Sequence, residues 1–306
     1  MAEQRSRTLL WILIGGGAFF LFVLAVFTLV YITLQAGGGE GAGLGAFGGG
    51  DRIGVVDLDG VILSPQPVVD QLKKFGDDSS IKAIILHVNS PGGGVAASEE
   101  IYREVKRIRS EKKKKIVVSI ETVGASGAYY VASASDKIYA DEGSIVGSIG
   151  VIAQWVNYGD LMKWAKLKDI VLKTGEFKDT GNPARELTPA EQAYMQSLID
   201  NMFGQFIQAV SEGRGLKYDD VKSIANGKVW TGKEALPMKL IDGIGDFQTA
   251  VSETAKSVGI KGEPTLVRPE KEHRTLLDLL LGDMSQYLPS REKLMEQQVG
   301  FYYLWK

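Results

Sequence analysis

The sequence predicts an α/β domain preceded by one transmembrane helix. Three observations in its 306 residues predict this: an uncharged apolar run near the N-terminus, a glycine-rich break behind it, and short β-branched segments that then alternate with amphipathic helical ones.

The apolar run, Leu9 to Leu34 (LLWILIGGGAFFLFVLAVFTLVYITL), carries no charge. At about 1.5 Å per helical residue it exceeds the roughly 30 Å hydrocarbon core of a bilayer. A buried core helix is rarely so uniformly apolar, and the apolar stretch of a cleaved signal peptide is usually only about 7 to 15 residues, so an uncleaved anchor is expected. Arg5 and Arg7 precede the run, whereas Gln35 to Gly50 contains no Lys or Arg. The positive-inside rule then places residues 1–8 in the cytoplasm and everything after the span outside, on a cell inner or plasma membrane. AGGGEGAGLGAFGGG, Ala36 to Gly50, has no hydrophobic period and reads as a flexible tether. The expected organisation is an N-terminus at 1–8, an anchor at 9–34, a linker at 35–51, a folded domain at 52–262 and a C-terminal extension at 263–306.

Within the domain, RIGVVDLDG, KAIILHVN and KIVVSIE read as strands, separated by helices near Pro67 to Lys74 and Val95 to Ser110. On the second helix Ala97, Ile101, Val105 and Ile108 form one apolar stripe facing the sheet. A further helix, Thr188 to Glu212, opens on a capping-box pattern, with Pro189 at its first position and Glu191 three residues after Thr188. Its Tyr194, Met195, Met202, Phe203 and Phe206 read as core or subunit interface rather than a cofactor box.

Composition narrows the chemistry. Thirty-five basic against 37 acidic residues leave a net charge of -2, without the electrostatic footprint of a nucleic-acid partner. The run Lys112 to Lys115 closes a helix and reads as a solvated terminus. The absence of cysteine excludes disulfides, thiolate metal sites and a cysteine nucleophile. The two histidines, His87 and His273, lie in a strand and in a charged tail segment. Neither is a convincing base.

Two segments follow strands and open helices, where reactive groups and free backbone donors collect. Asn89-Ser90-Pro91-Gly92-Gly93-Gly94 permits close backbone approach and could hold an oxyanion, although glycine richness alone also fits an ordinary turn. Gly124-Ala125-Ser126-Gly127-Ala128 resembles a nucleophile elbow, with the Gly127 N–H beside an exposed serine hydroxyl, although a serine in this place is commonly just an N-cap. A serine nucleophile without histidine can use a lysine whose ammonium is disfavoured by burial. Composition leaves open which lysine this is.

The ordered motifs NSPGGG, GASGAYY, GSIGV (Gly147 to Val151), KTGEFKDTGNPAR (Lys173 to Arg185), ELTPAEQAYMQSLIDNMF and GRG resemble signal peptide peptidase A of the short bacterial form over roughly Arg52 to Ile260. The resemblance implies a Clp/crotonase-type spiral of ββα units. It also implies a Ser/Lys serine endopeptidase that degrades residual signal peptides after their release from secreted proteins, without metal or cofactor. By motif, Ser126 is the nucleophile and Lys178 the base, with Lys173 its rival. Gly93 and Gly127 supply the oxyanion N–H groups, and Ser148 orients the lysine. Asp179, after the base, could equally be a solvent-facing charge, and Ser148 a plain turn serine. One departure is Ala128 in place of the family's glycine, a methyl that would narrow the pocket. The resemblance further implies peptide and membrane partners and a homo-oligomer, commonly of eight subunits, in which neighbouring protomers build one site. Some members of the family place a C-terminal peptide in a neighbour's substrate groove, so self-processing is an expectation for the apolar GFYYLWK end. The alternatives are a broader membrane-protein quality-control protease, a crotonase-type acyl-CoA enzyme, and a non-catalytic scaffold.

Overall fold

The computed structural model describes residues 51–269 and 301–305, and the chain divides into two compact units, of which the second starts at Asp51 and carries all that follows. The anchor at 9–34, the tether up to Gly50, His273 and the LLDLLLGDM stretch lie outside the described residues. Among the described residues no helix is long and apolar enough to cross a membrane.

A mixed α/β fold is built on a central sheet. Strand β1 (Arg52–Asp59) leads through helix α1 (Gln66–Asp77) to β2 (Ile81–Ser90) and the short β3 (Gly92–Gly94). Helix α2 (Val95–Arg107) continues into a π-helical turn (Ile108–Lys112), and β4 (Lys115–Ala125), α3 (Gly127–Ser133), β5 (Lys137–Ala140), β6 (Ile145–Gly147) and β7 (Ile152–Ala153) follow. Beyond these come α4 (Gly159–Trp164), the long α5 (Pro189–Arg214), α6 (Tyr218–Ile224), β8 (Val229–Thr231) and α7 (Gly232–Ala235). The described chain closes with β9 (Gly243–Ile244), α8 (Phe247–Ser257), β10 (Thr265–Val267) and β11 (Phe301–Leu304).

The main sheet runs β10-β1-β2-β4-β5-β9, all parallel, with β6 continuing beside the far end of β4 and β8 antiparallel to β6. Its central strands are apolar almost without interruption because both faces are covered. Ile84 and Leu86 pack beneath α1 and α2, while Ile53 and Ile85 meet Val251 and Ala255 of α8 on the other face. The stripe Ala97, Ile101, Val105 and Ile108 is buried as the helical period requires. In α5 the Thr188 hydroxyl accepts from the Glu191 N–H (3.2 Å) and the Glu191 carboxylate accepts from the Thr188 N–H (2.8 Å), the expected reciprocal cap.

The lysine run differs in part from its solvated reading. Lys113 turns the chain in a left-handed conformation, and half-buried Lys114 donates to the carbonyls of Phe75 (2.6 Å) and Asp78 (2.8 Å). Burial pushes the Lys114 ammonium below the ordinary lysine value.

Candidate active site

Ser126 stands between β4 and α3 with φ 54° and ψ -119°. A non-glycine residue held there costs on the order of 1–3 kcal/mol and persists only when its neighbours over-determine it. Its N–H donates to the Gly147 carbonyl (2.7 Å), and its own carbonyl accepts from the Tyr130 N–H (2.8 Å). Although Ser126 occupies the N-cap position of α3, its hydroxyl makes no capping bond. The Gly147 contact brings Ser148 alongside, itself at φ 53° with its N–H on the Lys228 carbonyl (2.8 Å). Both serines are nearly inaccessible and line a cleft of about 510 Å³, with Phe203 of α5 and, from the C-terminus, Leu304 and Trp305. Ala128 does not line this cleft; its methyl group packs in the core.

The glycine segment forms a strand rather than a bare loop. The Ile62 N–H donates to the Gly92 carbonyl (2.9 Å), and the Gly94 N–H donates back to the Ile62 carbonyl (2.8 Å). The buried Ser90 hydroxyl accepts from the Gly92 N–H (3.1 Å), and the Ser98 hydroxyl donates to the Gly94 carbonyl (2.9 Å). Gly92, at φ +98°, has no room for a side chain: a Cβ there would strike the Tyr303 carbonyl oxygen and come within 2.6 Å of the Gly127 nitrogen. A Cβ on Gly127 would strike the Ser98 hydroxyl and lie 3.1 Å from both the Gly93 nitrogen and the Tyr303 carbonyl oxygen.

That carbonyl belongs to β11, which lies antiparallel between β3 and β7 in a separate three-stranded sheet. Tyr303 pairs with Gly93, and two residues on the Trp305 N–H donates to the Pro91 carbonyl (2.9 Å). Hydrogen-bonded pairs alternate along an antiparallel ladder, so Tyr303 and Gly93 also form one, with the Gly93 N–H on the Tyr303 carbonyl. The Tyr303 side chain is buried against the rings of Tyr130 (5.2 Å, stacked) and Phe206 (4.7 Å), and its hydroxyl donates to the Met202 carbonyl (2.8 Å). Burial pushes the Tyr303 phenol well above its usual value. A bound extended segment, with one carbonyl against two glycines and the following residues beside a strained serine, is how a peptide would meet a hydrolase.

Lys178 is not part of this grouping. It is exposed, on a turn whose backbone bond runs from its N–H to the Gly175 carbonyl (3.4 Å), and it does not line the cleft. Lys173 donates to the Asp179 carboxylate and to the Glu176 carbonyl (2.8 Å), contacts that tie it to its own segment, and it does not line the cleft. Asp179 is not a solvent-facing charge, since Lys173 and Arg185 both hold it. His87 sits in β2, edge-on to Phe247 at 4.8 Å, and does not line the cleft.

The sequence matches the family model of Peptidase family S49 over residues 108–261 and that of Clp protease over residues 64–140. A protein of Synechocystis named as a protease is 34% identical over 236 residues, 77% of this chain and 84% of that protein. The chain belongs to peptidase family S49. An Enterococcus faecium protein bearing the name signal peptide peptidase SppA is 34% identical over 62% of this chain and 55% of its own. The chloroplastic serine protease SPPA of Arabidopsis thaliana is 26% identical over 78% of this chain and 37% of its own. As an S49 member the chain is a serine peptidase that acts on peptides.

Several residues of this candidate site carried no signal in the sequence. Ser98, which closes on Gly94 and abuts Gly127, is one polar position on an amphipathic helix. The Met202 contribution is a backbone carbonyl, which no side-chain pattern marks. Phe206 is core, as read, but also forms one wall around Tyr303.

Proposed function

We propose that the chain is a membrane-anchored endopeptidase with Ser126 as nucleophile and Lys178 as base, which degrades signal peptides left in the membrane after secretion. The observation that carries this reading is the seat of the Tyr303 carbonyl beside Gly93 and Gly127, while the next residues, Leu304 and Trp305, line the cleft shared by Ser126 and Ser148. Neutral Lys178 takes the Ser126 proton while Oγ attacks the peptide carbonyl carbon, and the carbonyl electrons move onto oxygen, where the N–H groups of Gly93 and Gly127 hold them. Collapse expels the amine, which takes the proton from Lys178. Water, giving its proton to Lys178, then attacks the acyl carbon; the acyl–Oγ bond breaks, Lys178 returns the proton to Ser126 Oγ, and Ser148 orients the lysine throughout.

Because Lys178 lies outside its own cleft, the reading assigns it to the Ser126 of a neighbouring copy in a homo-oligomeric ring, up to eight subunits, of Clp/crotonase-type spirals. The exposed apolar side chains of the segment leading to it, Trp164 (81%), Ile170 (82%) and Leu172 (96%), support a contact with a second copy. The apolar run at 9–34 supports a tether with the N-terminus cytoplasmic and the domain outside. A serine-directed fluorophosphonate tests the centre: wild type is labelled, Ser126→Ala is not, and Lys178→Ala is labelled far more slowly. Strong labelling of Lys178→Ala would remove Lys178 from the mechanism.

A second reading rests on β11. The Tyr303 carbonyl beside Gly93 and Gly127 supports a reading in which the chain processes its own end, between Tyr303 and Leu304. Mass spectrometry should find a terminus at Tyr303 in wild type and an intact Lys306 in Ser126→Ala. An intact end in both would overturn self-processing.

A further inference from the structure

Asp179 directly follows Lys178, and an unpaired carboxylate beside a lysine favours its ammonium form, which cannot act as a base. Asp179 is paired twice. Lys173 donates to its Oδ1, and Arg185 reaches its Oδ2 from Nε (3.2 Å), its Oδ1 from Nη2 (3.0 Å) and its main-chain carbonyl (3.3 Å). The same guanidinium grips both carboxylate oxygens of Glu191 (2.6 and 2.8 Å) and the Glu186 carbonyl (2.9 Å). Glu191 is almost wholly buried and is fixed in the first turn of α5 by the Thr188 cap. One arginine therefore ties the residue after Lys178 to the start of a 26-residue helix. Arg185 and Lys173 hold the Asp179 carboxyl below the usual range, and Arg185 does the same for Glu191. The ionisable groups around Asp179 are Lys173 and Arg185 from its own segment and Glu191 from α5. Among the described residues, the Lys178 ammonium makes no hydrogen bond or ion pair with any of them.

We propose that Arg185, together with Lys173, is a positioning residue that occupies Asp179 and leaves Lys178 as the uncommitted lysine of KTGEFKDT, free to take a proton from Ser126. The role rests on the reading of Lys178 as the base. It assigns the two lysines of this turn opposite duties: Lys173 saturates the carboxylate, and Lys178 stays available.

The test is the pH–rate profile of the full-length enzyme on a p-nitroanilide peptide. Arg185→Gln removes one of the two cations on Asp179 and leaves its charge only partly offset by Lys173, so the acid limb of kcat should move up by about one pH unit, with about a tenfold loss near neutrality and KM within about twofold. Arg185→Lys, which keeps the charge, should keep the limb. Adding Asp179→Asn to Arg185→Gln should return the limb towards wild type, which a merely structural role would not do. An unmoved limb in Arg185→Gln, or one still displaced when Asp179 is also replaced, overturns the shielding. Lys178→Ala separates the two levels: an inactive variant with an unmoved Arg185→Gln limb overturns the shielding alone, and an active one overturns the base assignment and the shielding together.

Discussion

The elbow around Ser126 and the segment from Ile152 to Lys178 are built in opposite ways. At the elbow the strained backbone is tied at Gly147 and Tyr130, three glycines leave no space for a methyl, and both serines are buried. The other segment contributes two paired residues in β7 and one short helix, α4, and turns large apolar side chains outward. Asn182 donates to Asp169 (2.8 Å) and the Tyr158 N–H to the Pro183 carbonyl (2.8 Å), and Arg185 closes its last part. The Ser126 elbow is tied within one chain, whereas the segment carrying Lys178 exposes the apolar side chains that the proposed contact with a second copy would cover.

This contrast breaks most directly on the exposed side. Ile170→Glu with Leu172→Glu should dissociate the proposed assembly, read by sedimentation, and cut peptidase activity by about 10⁴-fold or more, leaving only what the proposed oxyanion donors supply. Exposed substitutions of this kind leave stability within about 0.5 kcal/mol, so the melting temperature should hold. Full activity in the dissociated protein would mean that each copy closes its own site. On the elbow side, Gly127→Ala places a methyl against the Ser98 hydroxyl and 3.1 Å from the Gly93 nitrogen. A loss of about 10²-fold in kcat is expected, with the assembly intact. The smallest effect concerns the junction. Glu191 is held below the usual carboxylate range, first by Arg185 and then by the Thr188 N–H, so it binds protons more readily unfolded than folded. The stability it contributes is fully present above its unfolded value of 4.5 and is lost as pH falls below that. Glu191→Gln should flatten this part of the acid side of the stability curve, measured by chemical denaturation at a series of pH values.

What could be read from the sequence was what is encoded over a few adjacent residues. The stripe on α2 repeats with the helical turn, and the Thr188–Glu191 cap spans one turn, so both emerged as expected. The small-residue turn at Ser126 was also visible, but its ambiguity with an N-cap was resolved only by φ and the unused hydroxyl. Contacts between distant parts left no such trace. Residues 301–304 and 92–94 pair across some two hundred positions, and the ladder runs through backbone atoms that any residue carries. Arg185 was visible as part of a motif, but its grip on Asp179 and Glu191 depends on a segment without period, where no spacing rule applies. The departure at Ala128 was read as a narrowing of the pocket because its neighbour bears the chemistry. On a helix the next position turns away, and here it turns into the core.

The place of β11 between β3 and β7 has a consequence for which segments can be cut. Both of its edges are paired, so an occupant must offer free N–H and C=O groups on two sides, and a helix offers neither. If β11 marks the substrate's place, as proposed, a membrane-spanning helix must unwind over about the four residues that β11 fills before any side chain is sampled. Segments with a glycine at that point lose about 1 kcal/mol less helix per residue than alanine-rich ones. On the proposed function, local fraying would act as the first selector, and a well-formed helix would pass uncut even when its side chains fit beside Tyr130 and Phe206.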